Sequence, residues 1–104
     1  MKISIVIPAK NEALGLVGLL PELTQLYPDA EIIVVNDGST DGTEQVCKDA
    51  GVKVITHPYA KGNGAAVKTG ARAATGDVLV FMDGDGQHSA ADVARLLSKV
   101  EDGY

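Results

Sequence analysis

The sequence predicts an α/β fold in which helices cover both faces of a mostly parallel sheet. Four short apolar segments rich in β-branched residues alternate with stretches of helical periodicity. Each apolar segment is followed by a polar loop, three of them rich in glycine. Strands that alternate with helices form right-handed βαβ units and build a three-layer, Rossmann-like domain. A chain of 104 residues has room for one such domain with one core.

The first strand is predicted over residues 3–7, an apolar segment followed by Pro8. Its length and β-branched content are typical of a parallel strand that is buried on both faces and ended by the proline. Asn11 is placed to cap the helix that follows. Leucines recur in this helix at three- and four-residue spacing, and Pro21 within the pattern predicts a kink or a break.

The second unit follows the same plan. Segment 31–35 predicts another buried strand, which ends at an Asn-Asp-Gly sequence. Ser39 or Thr40 is expected to cap the next helix. That helix is predicted to run to Ala50 and to stop at Gly51.

The third and fourth units complete the pattern. Segment 52–56 is shorter and more polar, so we place this strand nearer to the sheet edge. The glycine-rich loop 61–64 opens a helix over about 65–74. Segment 77–82 predicts the fourth strand, and a last helix is predicted over about 90–100.

The charge and the cysteine count exclude several classes of function. The formal net charge is −5 and no run of lysine and arginine is present, which argues against nucleic acid as a partner. The single cysteine, Cys47, rules out an intrachain disulfide and a thiolate metal site. Its helical context predicts a buried, unreactive thiol.

The hydropathy pattern predicts a cytoplasmic protein. No apolar stretch is long enough to span a bilayer, and no signal peptide is recognisable. Attachment of the full-length protein to a membrane would need a segment outside this chain.

The polar loops all follow strands at their carboxyl ends. In an open parallel sheet these ends lie along one edge, which is where ligands bind. Four loops are thereby gathered along this edge, which we term the carboxyl rim: 8–12, 37–39, 61–64 and 83–85. Their convergence predicts a ligand site at the rim.

Asp83 and Asp85 flank Gly84 at the end of the fourth strand. Two carboxylates this close repel each other, and a divalent cation relieves the repulsion. Mg²⁺ and Mn²⁺ prefer oxygen ligands and leave positions open for phosphate oxygens. Gly84 permits a tight turn, and Gln87 and His88 are further candidate ligands or diphosphate contacts. The alternative, an Asp-Gly turn in a surface loop, is disfavoured by the position on the rim.

The first and second loops carry candidate nucleoside contacts. Asp37, at a strand end, can accept two hydrogen bonds from a base or from ribose hydroxyls, although helix capping is the alternative role for an aspartate here. Glu12 can bind ribose while Lys10 lies along the base or the pyrophosphate. Taken alone, Glu12 is better explained as a residue that complements a helix dipole.

The third loop gives a weaker signal. Lys61 begins a Gly-rich turn whose backbone amides can face an anion at a helix N-terminus. The turn lacks P-loop spacing, and no G-x-G-x-x-G follows the first strand, so an ATPase and a dinucleotide dehydrogenase are not supported. His57, before Pro58, is interpreted as a loop residue and not as a catalyst.

The segments ISIVIPAKNE, VVNDGSTDGT, KGNGAAVKTGARAATGD and VLVFMDGDGQH together resemble the inverting family-2 glycosyltransferases of the GT-A fold. The dolichol- or polyprenol-phosphate mannose and glucose synthases are the branch most similar to this chain. The likeness covers nearly the whole chain, in the same order. It implies a metal-dependent enzyme that moves a sugar from a UDP- or GDP-sugar to an acceptor such as a polyprenyl phosphate, with inversion.

The resemblance also implies roles for individual residues. Positions that match the nucleoside-holding residues of the family are Pro8, Glu12, Val35 and Asp37. Positions that match its metal and diphosphate motif are Asp83, Gly84 and Asp85, and Gln87 matches a further metal ligand. Lys61 falls in a segment that the family uses near the nucleotide. Lys10 departs from the Tyr that often stacks on the base in the synthase branch, which leaves the choice between UDP and GDP open.

The family's acceptor-binding half lies C-terminal to the D-x-D strand, whereas this sequence stops after its fourth β-α unit, at Tyr104. We therefore expect residues 1–104 to form a donor-binding half that binds its donor weakly and transfers little or no sugar alone. The alternative is a non-catalytic nucleotide- and metal-binding module that acts with a partner chain. An uncovered sheet edge would also favour self-association.

Overall fold

In the computed structural model, which describes residues 2–82, the chain forms a parallel sheet flanked by helices. The strands are β1 (Ile3–Ala9), β2 (Glu31–Asp37), β3 (Lys53–His57) and β4 (Val78–Phe81). The helices are α1 (Ala13–Leu26), α2 (Thr43–Ala50) and α3 (Asn63–Ala73). The strand order β3-β2-β1-β4 confirms the predicted α/β class and places β3 at an edge of the described sheet. The helix predicted over 90–100 lies outside the described residues.

The two faces of the sheet are covered by different helices. On one face, leucines of α1 pack with Ile5 and Val34 in a cluster that α2 completes. On the other face, Ile33 and Val35 pack against Ala66 of α3. Right-handed crossovers explain this division, because β1, β2 and β3 step in one direction and the connection from β3 to β4 returns across the sheet.

Small residues bring α3 close to the sheet. Ala66 is fully buried, and a Cβ atom at Gly70 would lie 2.2 Å from Cγ1 of Val6. Contact between carbon atoms is favourable only at about 3.5–4.0 Å. The absence of a side chain at Gly70 therefore sets how closely α3 approaches β1.

The strands differ from the sequence-based prediction mainly at their carboxyl ends. β1 does not end at Pro8 but continues to Ala9, with Pro8 paired opposite Val35. The Val6 carbonyl accepts a hydrogen bond from the Met82 amide, so the backbone polar groups of Val6 point toward β4. Those of Pro8, two residues further along the strand, point to the same side. Because β4 ends at Phe81, the missing N–H of Pro8 breaks no bond within the described sheet.

The start of α1 also differs from the prediction. Asn11 does not cap the helix. It takes a left-handed conformation with φ 54°, and its Oδ1 accepts the Thr40 amide at 2.8 Å. The N-cap position is Glu12, which makes no capping bond with its side chain. Pro21 does not split the helix either, since α1 continues through it to Leu26.

The backbone amide at the start of α2 is hydrogen-bonded by a residue other than the two expected caps. Neither Ser39 nor Thr40 caps it, because the N-cap position is Gly42. The Asp41 carboxylate accepts the Thr43 amide instead, at 3.0 Å. The predicted end is confirmed: α2 stops at Ala50 and the next residue, Gly51, adopts φ 76°.

Two exclusions made from the sequence can be compared with the structure. Cys47 is fully buried, and burial together with the charge of Glu44 raises the pKa of its thiol to about 11. The predicted burial of the thiol is therefore confirmed, and the raised pKa disfavours the reactive thiolate form. Within residues 2–82, no helix has both the length and the apolar character needed to cross a bilayer.

Glu31 organises the amino end of the sheet. Its buried carboxylate accepts hydrogen bonds from the Ser4 hydroxyl at 2.7 Å, from the Thr75 amide at 2.8 Å and from the Lys53 ammonium group. The Lys53 hydrogen bond contributes most to the lowered pKa of Glu31, which falls to about 2 against the opposing effect of burial. Ser4 in turn accepts the Gly76 amide at 2.9 Å. One carboxylate thus links β1, β2, β3 and the segment before β4.

Gly38 is the contact point between the loops that follow β2 and β3. It adopts φ 69°, a conformation that side chains disfavour. A Cβ atom there would lie 2.4 Å from the Ala60 nitrogen and 2.6 Å from the Tyr59 carbonyl carbon. Both neighbouring atoms are backbone, so neither can move aside as a side chain would.

We expect Glu31→Gln to lower the free energy of unfolding by about 2 kcal/mol at pH 7, because it removes hydrogen bonds to a charged acceptor. The folded-state pKa of Glu31 lies below its ordinary value, so its contribution is complete above about pH 4.5 and is lost as pH falls toward 2. Urea unfolding between pH 7 and 2 should show the two proteins converging in acid. Glu22→Gln, at an exposed position on α1, is the control. A constant difference at every pH would contradict the assignment.

Gly38→Ala should destabilise the fold by more than about 2 kcal/mol, because it combines left-handed backbone strain with a backbone clash. Gly42→Ala is the matched control in the same loop: no atom lies within 4 Å of its added Cβ, and its φ is −82°. Thermal and urea unfolding of the two variants measure the difference. Equal stability of the two would show that the loop contact at Gly38 is unimportant.

Candidate functional site

The carboxyl ends of the strands lie along one edge of the sheet. Ala9 is opposite Asn36, and Asp37 is opposite His57, so β1, β2 and β3 end side by side. The structure thereby brings together three of the four loops predicted to form the carboxyl rim. The fourth, 83–85, lies outside the described residues.

The loop after β2 supplies hydrogen-bond acceptors to the start of α1. The Ser39 hydroxyl accepts the Asn11 amide at 2.9 Å, and the Thr43 hydroxyl accepts the Glu12 amide at 3.2 Å. The Asp41 carboxylate accepts a further amide, that of Ala13, at 3.2 Å. The first amides of a helix have no partner within it. The polar residues of this loop therefore join the first and second rim loops.

Asp37 joins the second loop to the third. Its Oδ1 accepts the Lys61 amide at 2.8 Å and is 2.9 Å from Nδ1 of His57, and its Oδ2 accepts the Gly62 amide at 2.9 Å. The carboxylate is buried, with 5% of the residue exposed. Burial raises the pKa of Asp37, but the hydrogen bonds from Lys61, His57 and Gly62 outweigh it and hold the pKa below its usual value.

These contacts change two expectations. The amides of Lys61 and Gly62 donate to Asp37, so the anion that these two amides face is a carboxylate of the chain itself and not a ligand. A carboxylate has roughly four acceptor positions, and three of those on Asp37 are filled. The contacts with residues 2–82 leave one position, on Oδ2, whereas the sequence suggested two hydrogen bonds to a ligand.

His57 is a site residue that the sequence reasoning missed. It is the last residue of β3 and not a loop residue, and it is only 7% exposed. Its Nδ1 contacts Asp37, and its Nε2 is 3.0 Å from the Thr69 hydroxyl on α3. Predicting β3 one residue longer would have identified it, because it would then stand at a strand's carboxyl end as Asp37 does.

The other predicted donor-binding residues of the rim differ in how far they are exposed to solvent. Pro8 and Val35 are buried, and Val35 packs on the α3 face, fully covered. Glu12 is partly exposed, and Lys10 is exposed. Lys61 is also exposed, and its Nζ lies 5.5 Å from the centroid of the Tyr59 ring.

The predicted metal set cannot be located on the rim, because all of its residues lie outside the described residues: Asp83, Gly84, Asp85 and Gln87. Among residues 2–82, no group of three or more His, Cys, Asp and Glu side chains is arranged to hold a metal ion. The chemistry of the predicted donors, two carboxylates and an amide oxygen, fits Mg²⁺ or Mn²⁺.

Comparison with known proteins supports one family. Residues 4–104 match the model of glycosyl transferase family 2. A dolichol-phosphate mannosyltransferase of Pyrococcus furiosus is 35% identical over 99% of this chain and 31% of its own length. An undecaprenyl-phosphate 4-deoxy-4-formamido-L-arabinose transferase of Enterobacter sp. is 34% identical over 99% of this chain and 35% of its own length.

A solved structure shares both the fold and part of the sequence. Glucosyl-3-phosphoglycerate synthase of Mycobacterium tuberculosis, in complex with Mn²⁺, UDP and glucosyl-3-phosphoglycerate, superposes with a TM-score of 0.82. It is 28% identical over 95% of this chain and 39% of its own length. The chain spans about a third of the length of the curated relatives that it matches. From the family match and the parallel α/β sheet together, the chain belongs to glycosyl transferase family 2 and has the GT-A fold.

Proposed function

We propose that residues 1–104 form the nucleotide-sugar-binding half of an inverting glycosyltransferase. The donor is a UDP- or GDP-linked sugar, and the acceptor is a polyprenyl phosphate or a similar lipid phosphate. The observation that carries the proposal is the buried Asp37 carboxylate, which joins two rim loops and has one acceptor position that residues 2–82 do not fill. The names of the relatives support the acceptor class, because two of them transfer sugars to dolichol or undecaprenyl phosphate.

The nucleoside end of the donor fits the rim between β1 and β2. The remaining Oδ2 position of Asp37 suits a single donor, such as a base imide N–H or a ribose hydroxyl. Glu12, half-buried at the start of α1, is a second acceptor for ribose. Pro8 and Val35 are buried, so their part is to form the floor beneath the nucleoside.

The diphosphate end needs positive charge. Lys10 and Lys61 are both exposed on rim loops and can approach phosphate oxygens. β4 ends at the same rim, where the Met82 amide donates to the Val6 carbonyl at 3.1 Å. Asp83 follows directly in the chain, so Asp83, Asp85 and Gln87 would hold the divalent ion next to the diphosphate. What Mg²⁺ or Mn²⁺ supplies there is neutralisation of the charge that develops on the departing nucleoside diphosphate.

Transfer requires an acceptor on the opposite side of the sugar. Inversion follows when the acceptor oxygen attacks the anomeric carbon from the face opposite the leaving diphosphate. The relatives are about three times as long as this chain, and we assign acceptor binding and the catalytic base to sequence that the chain does not include. A lipid-phosphate acceptor would bring a protein of this kind, otherwise cytoplasmic, to a membrane surface. β4 is an edge strand of the sheet formed by residues 2–82, and we place self-association of the chain alone at this edge.

Calorimetric titration with UDP and with GDP should show binding that depends on Mn²⁺. Asp85→Ala should weaken that binding at least about tenfold, since it removes one of the few charged ligands of a hard cation. Asp29→Ala is the control, because it removes an exposed carboxylate that precedes β2 at the amino edge of the sheet. Equal binding with and without metal would rule out the metal assignment.

Transfer is tested with the full-length protein, a UDP- or GDP-sugar and a polyprenyl phosphate. We expect a product whose anomeric configuration is opposite to that of the donor, as determined by the coupling constants in its proton spectrum. Retention of configuration would refute the inverting mechanism. Metal-dependent nucleotide binding without any transfer would favour the binding-module alternative.

A further inference from the structure

His57 is a buried ring that the proposed donor contacts do not explain. Both of its nitrogens have partners: Asp37 on β2 and Thr69 on α3. It stands at the end of β3 with 7% of its surface exposed, and because both ring nitrogens are already hydrogen-bonded it has no free polar atom to offer a ligand. Any effect of His57 on the donor must therefore act through another residue.

The partners define what each ring nitrogen does. An ionised Asp37 can only accept, so Nδ1 of His57 carries the proton of that hydrogen bond. In the neutral ring Nε2 then accepts, and the Thr69 hydroxyl donates to it. Thr69 precedes Gly70, where α3 lies against Val6 of the sheet. The ring is thus held between a strand and a closely packed helix.

Fixing the ring also fixes the carboxylate. Oδ1 of Asp37 is shared between Nδ1 of His57 and the Lys61 amide, and Oδ2 accepts the Gly62 amide. Without the donor on His57, only the two amides of the Lys61–Gly62 turn would hold the carboxylate, and its χ2 torsion, which is broad for aspartate, would be less restrained. Rotation would weaken both amide bonds and move the unfilled position on Oδ2.

We propose that His57 is a positioning residue that fixes the plane of the Asp37 carboxylate, so that it holds the Lys61–Gly62 turn and presents Oδ2 to the nucleotide. This inference rests on the proposed function, in which Asp37 contacts the nucleoside. It goes beyond that function by assigning a role to a residue that touches neither donor nor metal.

Two substitutions separate positioning from simple packing. In His57→Asn, the amide nitrogen occupies roughly the place of Nδ1 and can still donate to Asp37, while the bond to Thr69 is lost. In His57→Gln, the longer amide reaches the place of Nε2 and can bond Thr69, while Asp37 loses its donor. Both variants lose the ring, so a packing role alone predicts similar defects.

The experiment measures affinity for UDP and for GDP with Mn²⁺ by calorimetry, and amide hydrogen exchange at Lys61 and Gly62. His57→Gln should weaken nucleotide binding about tenfold and speed exchange of both amides, as expected for loss of one charge-assisted hydrogen bond. His57→Asn should stay within about threefold of the wild type on the same scale. Ser4→Ala, a buried polar deletion at the amino end of the sheet, should lower stability without changing affinity.

The outcomes distinguish this inference from the function on which it rests. A wild-type chain that binds neither nucleotide overturns the proposed function, and the inference with it. A wild-type chain that binds, together with equal losses in the Asn and Gln variants, overturns the positioning role alone. Affinity that is retained in both variants would also overturn the positioning role alone.

Discussion

The fold depends on satisfying two carboxylates at the ends of one buried strand. All seven residues of β2 are buried, yet the strand begins with Glu31 and ends with Asp37. A buried charge is strongly unfavourable unless it is hydrogen-bonded, so each end must recruit donors from elsewhere in the chain. Among residues 2–82, no buried side-chain polar atom lacks a partner. Through these donors, β2 is joined to β1, to β3 and to the segment that precedes β4.

The two ends satisfy the same requirement with different donors. At the amino end, three side chains and one backbone amide surround Glu31, and the result is a closed network. At the carboxyl end, Asp37 relies mainly on the backbone of a loop, and His57 is its one side-chain donor among residues 2–82. The network at Glu31 stabilises the sheet. The arrangement at Asp37 holds a loop in place at the rim where we propose that the donor binds.

The sequence predicted the class, the element order and the rim, because these depend on periodicity and on the geometry of parallel strands. It predicted strand ends and helix caps less well. Asn11, Ser39 and Thr40 are residue types that commonly cap helices. Their hydrogen-bond partners, however, lie about 28 residues away in the chain, on the neighbouring loop. Local propensity cannot distinguish a cap from such a cross-loop bond.

The same limitation explains why some contacts of the candidate site were not predicted from the sequence. Asp37 was recognised as a rim carboxylate, but its bonds to Lys61 and Gly62 depend on how the β3–α3 turn folds back, and no local pattern encodes that. His57 was missed because a one-residue error in β3 moved it from a strand end into a loop. The metal ligands Asp83, Asp85 and Gln87 remain predictions from the sequence.

The strand order has a consequence for how the protein is made. Of the four strands in the described sheet, β1 is synthesised first, and it lies between β2 and β4. Its partner on one side begins at Glu31, but its partner on the other side begins only at Val78. During translation, the edge of β1 that pairs with β4 therefore has no partner until the segment that begins at Val78 has emerged. A nascent chain with such an exposed edge is open to pairing with other chains, so the timing of β4 matters for productive folding as much as its stability does.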